Sequence, residues 1–215
     1  MLVWVLVVVA AFGAFVMVRV HLDTQRMICH LREADLTLAP VDRPLHDDAE
    51  AAIRALERAG FTLETCGTAT IPPHAPRAFC LLRSATGAAI AEVGVDRAGK
   101  GARVTLAFES RLSDGRLATQ SVQGLVTPPG DLKQVLPGAG VDELVREHER
   151  ALEALAAAGQ PAQTVPVGGA THLWEATLRQ EAERHPSGFG ITVRALRIIL
   201  GRVEDRGSVV DRGLV

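Results

Sequence analysis

Residues 104–126, VTLAFESRLSDGRLATQSVQGLV, decide the fold class. Val104, Leu106, Phe108 and Ser110 share one face of an extended segment, with Thr105, Glu109 and Arg111 opposite, which is the period of a strand. Ser113-Asp114-Gly115 is a strong hairpin signal. Leu117 to Val126 then returns as a further strand until Pro128-Pro129-Gly130 stops it. A strand, a tight turn and a strand of this kind belong to an antiparallel sheet.

Working outward, the same period runs upstream. Ala88 to Val95 is a strand, closed by a loose loop at Asp96-Arg97-Ala98-Gly99-Lys100-Gly101. Arg77 to Arg83 precedes it across the turn Ala85-Thr86-Gly87. Phe61, Leu63 and Thr65 alternate in the first strand, which Gly67 weakens and Ile71-Pro72-Pro73 ends. That makes about five strands. Two helices flank them. Asp47-Asp48-Ala49-Glu50 opens the first with a cap-like spacing, and Ala49, Ala52, Ile53, Leu56 and Ala59 form its apolar face before Gly60. A short extended piece, Leu132 to Pro137, leads to the second, in which Val141, Leu144, Val145, His148, Leu152 and Leu155 line one side up to Gly159. The predicted class is α+β, a helix–antiparallel sheet–helix domain over residues 47–159 with its helices covering one face.

Gln160 to Ala170 is predicted as a linker. Thr171 then caps a helix through His185 with Leu173, Trp174, Thr177, Leu178 and Ala182 on one face, and Val193, Leu196, Ile199, Leu200 and Val203 recur in a further helix. Residues 171–215 are thus expected to form a C-terminal helical hairpin followed, after Asp205, by a loose tail.

At the other end, Met1 to Val18 reads MLVWVLVVVAAFGAFVMV and carries no charged side chain; the first is Arg19. As a helix, Leu2 to Val20 spans roughly 28 Å, close to the ~30 Å hydrocarbon core of a bilayer. Its Leu, Val and Phe residues favour insertion by about 3 to 7 kcal/mol. No basic n-region precedes the run and no A-x-A site follows it, so a retained single-pass transmembrane helix over residues 1–20 is expected in preference to a cleaved signal. Residues 21–46 form a juxtamembrane connector, in which Pro40 and Pro44 break any helix continuing from the membrane. Arg19, Arg26 and Arg32 follow the span and no basic side chain precedes it. The positive-inside rule then places the bulk of the chain in the cytoplasm. Three cysteines, an odd number, point the same way.

Composition removes several function classes. The net charge of −2 and the lack of a basic patch argue against nucleic acid. Aromatic residues make up 4% and Tyr is absent, which argues against stacking platforms for bases or sugars. The basic residues are almost all Arg and Ala is abundant, the bias of a GC-rich bacterial genome rather than of a binding surface.

Candidate chemistry is sparse. His148-Glu149 opens like the zinc-protease pattern H-E-x-x-H, but Leu152 stands where the second histidine is needed, so His148 is expected on a helix face beside solvated charges. His172 with Glu175, and Glu181 with His185, have ligand spacings on one helix. The two histidines are about 20 Å apart along it, too far to share an ion. Gly168-Gly169-Ala170-Thr171 precedes a helix and offers free N–H groups to an anion, without a Walker lysine or a dinucleotide fingerprint. Cys66 and Cys80 are expected as buried small hydrophobes; Cys29 lies close to the membrane. Arg194, Arg197, Arg202 and Arg206 give the last helix a basic side. No catalytic, cofactor-binding or metal-binding residue is assigned, and no cofactor is expected.

Three functions compete on this reading. The first is a membrane-anchored protein, held in the bilayer by residues 1–20, whose α+β domain binds a protein or ligand without catalysis. The second is a membrane-tethered hydrolase acting on lipid or envelope intermediates, which requires His74, Glu109, Asp114 or His148 to converge. The third is a structural protein that meets a partner or a second copy through residues 171–204.

Overall fold

A computed structural model describes residues 11–23, 25, 39–40, 46–69, 77–98, 101–113, 115–122, 130–184 and 207–215. The class is α+β, as expected. The expected helix over Val193–Val203, its basic arginines, the first ten residues of the apolar run and most of the connector lie outside the described residues. So do Cys29, His74, Asp114, His185 and residues 123–126 of the expected fifth strand.

Residues 11–23 form helix α1. Two-residue strand β1, Ala39–Pro40, comes next, then helix α2, Asp47–Arg58. The sheet continues with β2 Phe61–Ala69, β3 Arg77–Ser84, β4 Ile90–Ala98, β5 Gly101–Arg111, β6 Arg116–Gln120 and β7 Leu132–Val135. Helices α3, Val141–Ala157, and α4, Ala170–Arg184, complete the order. Seven strands lie side by side in chain order.

The sheet is mixed rather than wholly antiparallel. The segment expected to be merely extended pairs as β7, parallel to β6, with Leu117 opposite Leu132 and Gln120 opposite Val135. The β4–β5 loop is also tighter than its glycines suggest, because the ladder runs out to Ala98 opposite Gly101.

One irregularity in β2 changes which of its side chains face the core. Leu63 faces Leu82 and Thr65 faces Leu81, so Glu64 is an extra, unpaired residue. A bulge of this kind inverts the alternation beyond it. Phe61 and Leu63 therefore share their face with Cys66, not with Thr65 as the regular alternation predicts. A regular register would have set Thr65 against Cys80; the bulge sets Cys66 there instead.

Helices α2 and α3 cover one face of the sheet. Ala49, Ala52, Ile53 and Leu56 of α2 and Leu144 and Val145 of α3 bury against Cys80, Leu82, Ala91, Val93 and Phe108. The apolar stripe of α2 matches its sequence period, but its cap lies one residue early, with His46 Nδ1 accepting from the Asp48 N–H. The opposite face is covered too, against the expectation of one-sided packing. Val165, Ala170 and Trp174 close over Phe79, Leu81 and Ile90, and Trp174 stacks on Phe79 with ring centroids 4.5 Å apart.

The linker and the tail are both part of the body. Gln163 N–H donates to Arg111 O and Val165 N–H to Gly87 O, which lays residues 163–165 across the sheet. Residues 207–215, expected to be loose, dock at its edge. Gly207 bridges to Val135, and Val209 is fully buried with Leu112, Leu117, Ala151 and Leu155. Arg150 of α3 holds Asp211 at 2.7 Å. Val209, Val210 and Val215 supply the apolar contacts of the tail, interspersed in the sequence with Asp211, Arg212 and two glycines.

Candidate functional site: a polarised histidine network

His148 comes from the inner side of α3, in the apolar stripe where the helical period puts it, and is 1% exposed. Nothing charged offsets its burial, and desolvation pushes its pKa down to about 3. Its Nε2 lies 2.8 Å from Ser110 Oγ and its Nδ1 2.7 Å from Thr119 Oγ1. Ser110 and Thr119 stand on β5 and β6 at positions where the alternation sends side chains into the core beneath α3. Gln134 of β7 completes the group, with Nε2 2.6 Å from Thr119 Oγ1 and 3.1 Å from Glu147 O. All four side chains are buried.

The direction of every bond is fixed by the two ends, where the partners are backbone. Val209 N–H can only donate, and it donates to Gln134 Oε1. Glu147 O can only accept, so the Gln134 amide nitrogen is correctly placed toward it. The second amide hydrogen goes to Thr119 Oγ1. Thr119 therefore gives its own proton to His148 Nδ1. His148 is the neutral tautomer with hydrogen on Nε2, which it donates to Ser110. Ser110 passes its proton to Ala88 O at 2.6 Å, again a pure acceptor. The chain runs one way, from the tail to the β3–β4 turn, and each donor meets an acceptor.

A serine 2.8 Å from a histidine has the separation of an activated nucleophile and its base. The polarity is the reverse of what that chemistry needs. His148 donates to Ser110, and the hydroxyl proton is committed to a carbonyl. Ser110 is also 1% exposed, with no approach for a substrate carbonyl. The arrangement specifies the core rather than activating a nucleophile.

The other face of the sheet carries a second polar group. Arg77 Nη2 contacts Glu92 Oε1 at 2.8 Å and Thr105 Oγ1 at 2.6 Å, and Trp174 Nε1 donates to Glu92 Oε2 at 2.9 Å. A Cβ on Gly94 would lie 1.9 Å from the Arg77 guanidinium, so only glycine lets that group lie flat across β4. Trp174 is thereby fixed by a stacked ring and by a carboxylate.

The glycine-preceded helix N-terminus does hold an anion, and the anion is internal. Glu64, the bulged residue of β2, accepts from Gly168 N–H at 3.0 Å and Ala170 N–H at 3.1 Å. Its carboxylate occupies the position an exogenous phosphate would need, and α4 begins at Ala170 with Gly169 at the cap position, two residues before the expected Thr171. Glu64→Ala is expected to cost about 1 kcal/mol, the usual worth of a helix cap, and to speed amide exchange at Gly168 and Ala170. Glu64→Gln, which keeps one acceptor, should cost less. Unchanged exchange at those two amides in Glu64→Ala would remove the capping role.

The candidates required by a hydrolase do not converge where they are described. Glu109 lies on the α4 side of β5, paired with Arg116 at 3.2 Å, while His148 lies beneath α3 on the opposite face. His172 is exposed. Among the described residues no group of three or more His, Cys, Asp or Glu side chains is placed to hold a metal. Cys66 and Cys80 are not separate thiols as expected: they form a disulfide across β2 and β3. Sequence reasoning passed over Ser110, Thr119 and Gln134. The usable signal was a serine and a histidine each standing on an otherwise apolar face.

Comparison with family models, curated proteins and solved structures returns no match.

Proposed function

We propose that this chain is a single-pass membrane-anchored protein whose α+β body is a binding module for a protein or small ligand and not an enzyme. The observation that carries the anchor is a row of large apolar side chains on α1. Phe12 and Phe15 are each 67% exposed, and Val18 and Leu22 are about half exposed. Free apolar surface of this kind on a helix calls for a non-aqueous partner. The uncharged residues 1–18 to which it belongs have the length for a bilayer. Among the described residues no helix is by itself long and apolar enough to cross a membrane, and α1 is described only from residue 11.

A binding role is favoured over hydrolysis by the inverted polarity of the Ser110–His148 pair and by the separation of Glu109 and His148 across the sheet. Of the third reading, a partner surface on residues 171–204, the described part turns Trp174 and Thr177 inward, with Trp174 stacked on Phe79, while residues 185–204 lie outside the described residues.

Full-length protein should stay in the membrane pellet through an alkaline carbonate wash and leave it only with detergent. Deleting residues 2–20 should move it to the soluble fraction. Release of the intact chain by carbonate would end the anchor reading. Turnover by the detergent-solubilised protein in a panel of hydrolase and transferase substrates would end the non-catalytic one.

A further inference from the structure

Cys66 and Cys80 stand directly opposite one another on β2 and β3, with Cα atoms 4.1 Å apart, on the face covered by α2. Both lie in the apolar core beneath that helix, Cys80 fully buried and Cys66 partly so. The pairing depends on the Glu64 bulge, which rotates Cys66 onto the inner face. That same glutamate caps α4, so bulge, cap and disulfide are one local construction.

A disulfide persists where the surroundings do not reduce it, and glutathione and thioredoxin systems keep cytosolic thiols reduced. We propose that the folded body lies on the oxidising side of the membrane, where a disulfide-bearing oxidant installs the Cys66–Cys80 bond. This reverses the orientation expected from Arg19, Arg26 and Arg32, and it rests on the membrane-anchor reading of residues 1–20. The chemistry balances simply. One cysteine attacks the disulfide of the oxidant as thiolate, releasing one oxidant thiol and forming a mixed disulfide; the second attacks the first cysteine's sulfur, breaks the mixed disulfide and expels the other oxidant sulfur. The two protein thiols lose two electrons and two protons, and the oxidant leaves as a dithiol. The flanking arginines do not forbid this orientation. Their bias governs short loops, whereas large domains translocate with little regard to flanking charge.

The test uses full-length protein in intact cells. Cells are quenched in acid, free thiols alkylated, and peptides mapped before and after reduction. Cys66 and Cys80 should resist alkylation until a reductant is added and appear as one linked peptide. A phosphatase that is active only after export, fused after Val215, should be active, and a fluorescent reporter that matures only in the cytosol should be dark. Alkylation of both cysteines in quenched cells without reductant, or a cytosol-active reporter, overturns the proposal. With purified protein, a reductant should lower Tm by roughly 6–12 °C in the wild type, the loss expected for a loop of this size, and by nothing in a Cys66→Ser/Cys80→Ser double variant. Equal responses of the two proteins would overturn the structural role of the bond. The carbonate wash reports the anchor separately, so a protein that is washed off yet holds the disulfide refutes the anchor and not the bond.

Discussion

Stability of the wild-type body is expected to fall steadily as pH drops below about 6.5, and the His148→Gln variant is expected to lose that slope. The sign comes from His148 being neutral in the folded state. Its folded pKa is about 3 against an unfolded value of 6.5. The depressed group contributes fully above 6.5. Between 6.5 and about 3 the unfolded chain binds a proton that the folded chain refuses, so each pH unit removes about 1.4 kcal/mol, on the order of 5 kcal/mol in all. The hydrogen-bond polarity adds a geometric reason. A charged imidazole would have to donate from Nδ1 toward Thr119 Oγ1, which takes from the Thr119 hydroxyl proton the acceptor it now has in Nδ1. The groups that face the ring are Ser110, Thr119 and Gln134 by hydrogen bond and Phe108 at 5.7 Å between ring centroids; none of them carries a charge to offset the proton.

In His148→Gln the longer amide can still reach Ser110 but leaves Thr119 poorly matched, at a cost of about 1–3 kcal/mol at pH 7. The variant should start lower and then cross the wild type near pH 5. Chemical denaturation at half-unit steps from pH 7.5 to 4.5 measures this, and the carboxylates common to both proteins cancel in the difference. Parallel curves would mean that His148 accepts a proton in place, and the reading of its tautomer would fall.

Truncation after Arg206 should be the more damaging of the two changes. It strips Val209 from the pocket formed by Leu112, Leu117, Ala151 and Leu155, a burial worth about 1.5–3 kcal/mol. It also takes the Val209 N–H from Gln134 Oε1 inside a sealed site, at a further 1–3 kcal/mol or so. The Gly207–Val135 bridge and the Arg150–Asp211 contact go as well. A loss of about 3–6 kcal/mol lowers Tm by on the order of 10–20 °C for a body of this size. Val209→Ala separates the two contributions, because it keeps the backbone donor and should cost about 1–2 kcal/mol. If truncation and Val209→Ala cost the same, the Gln134 contact contributes nothing to stability.

Much of the body was legible where one period dominates. The stripe of α2 and the inward row Val104, Leu106, Phe108 and Ser110 each come from a single helix or strand repeat, and tertiary contacts only ratify them. What escaped depends on contacts between distant segments. The carboxylate of the bulged Glu64 meets the α4 N-terminus at a sequence separation of 104 to Gly168, a contact no local period displays. Without that bulge the register opposes Thr65 to Cys80, so the disulfide was hidden by the same one-residue slip. Strand β7 reads as a bare extended piece because four residues carry no sign of their partner's direction. The tail reads as loose because Asp211, Arg212 and the glycines break its apolar residues into no helical or strand period, while Val209 and Val210 perform the docking. Helix α4 was legible as a helix, but the period of Trp174 and Thr177 does not say which face of the sheet receives it.

The one-way hydrogen-bond chain sets a timetable for the newborn protein. Gln134 and its donor Val209 are 75 residues apart, so at ordinary rates of synthesis of about 5–20 residues per second the amide waits roughly 4–15 s for its partner. Over that interval β7 is an open sheet edge, the kind that recruits strands from neighbouring chains. Strands β2 to β5, with α2 on their face, have by then all been made. The nascent chain therefore spends its vulnerable seconds with one edge unguarded, and it is there that a chaperone, or a mispaired second copy, would first take hold.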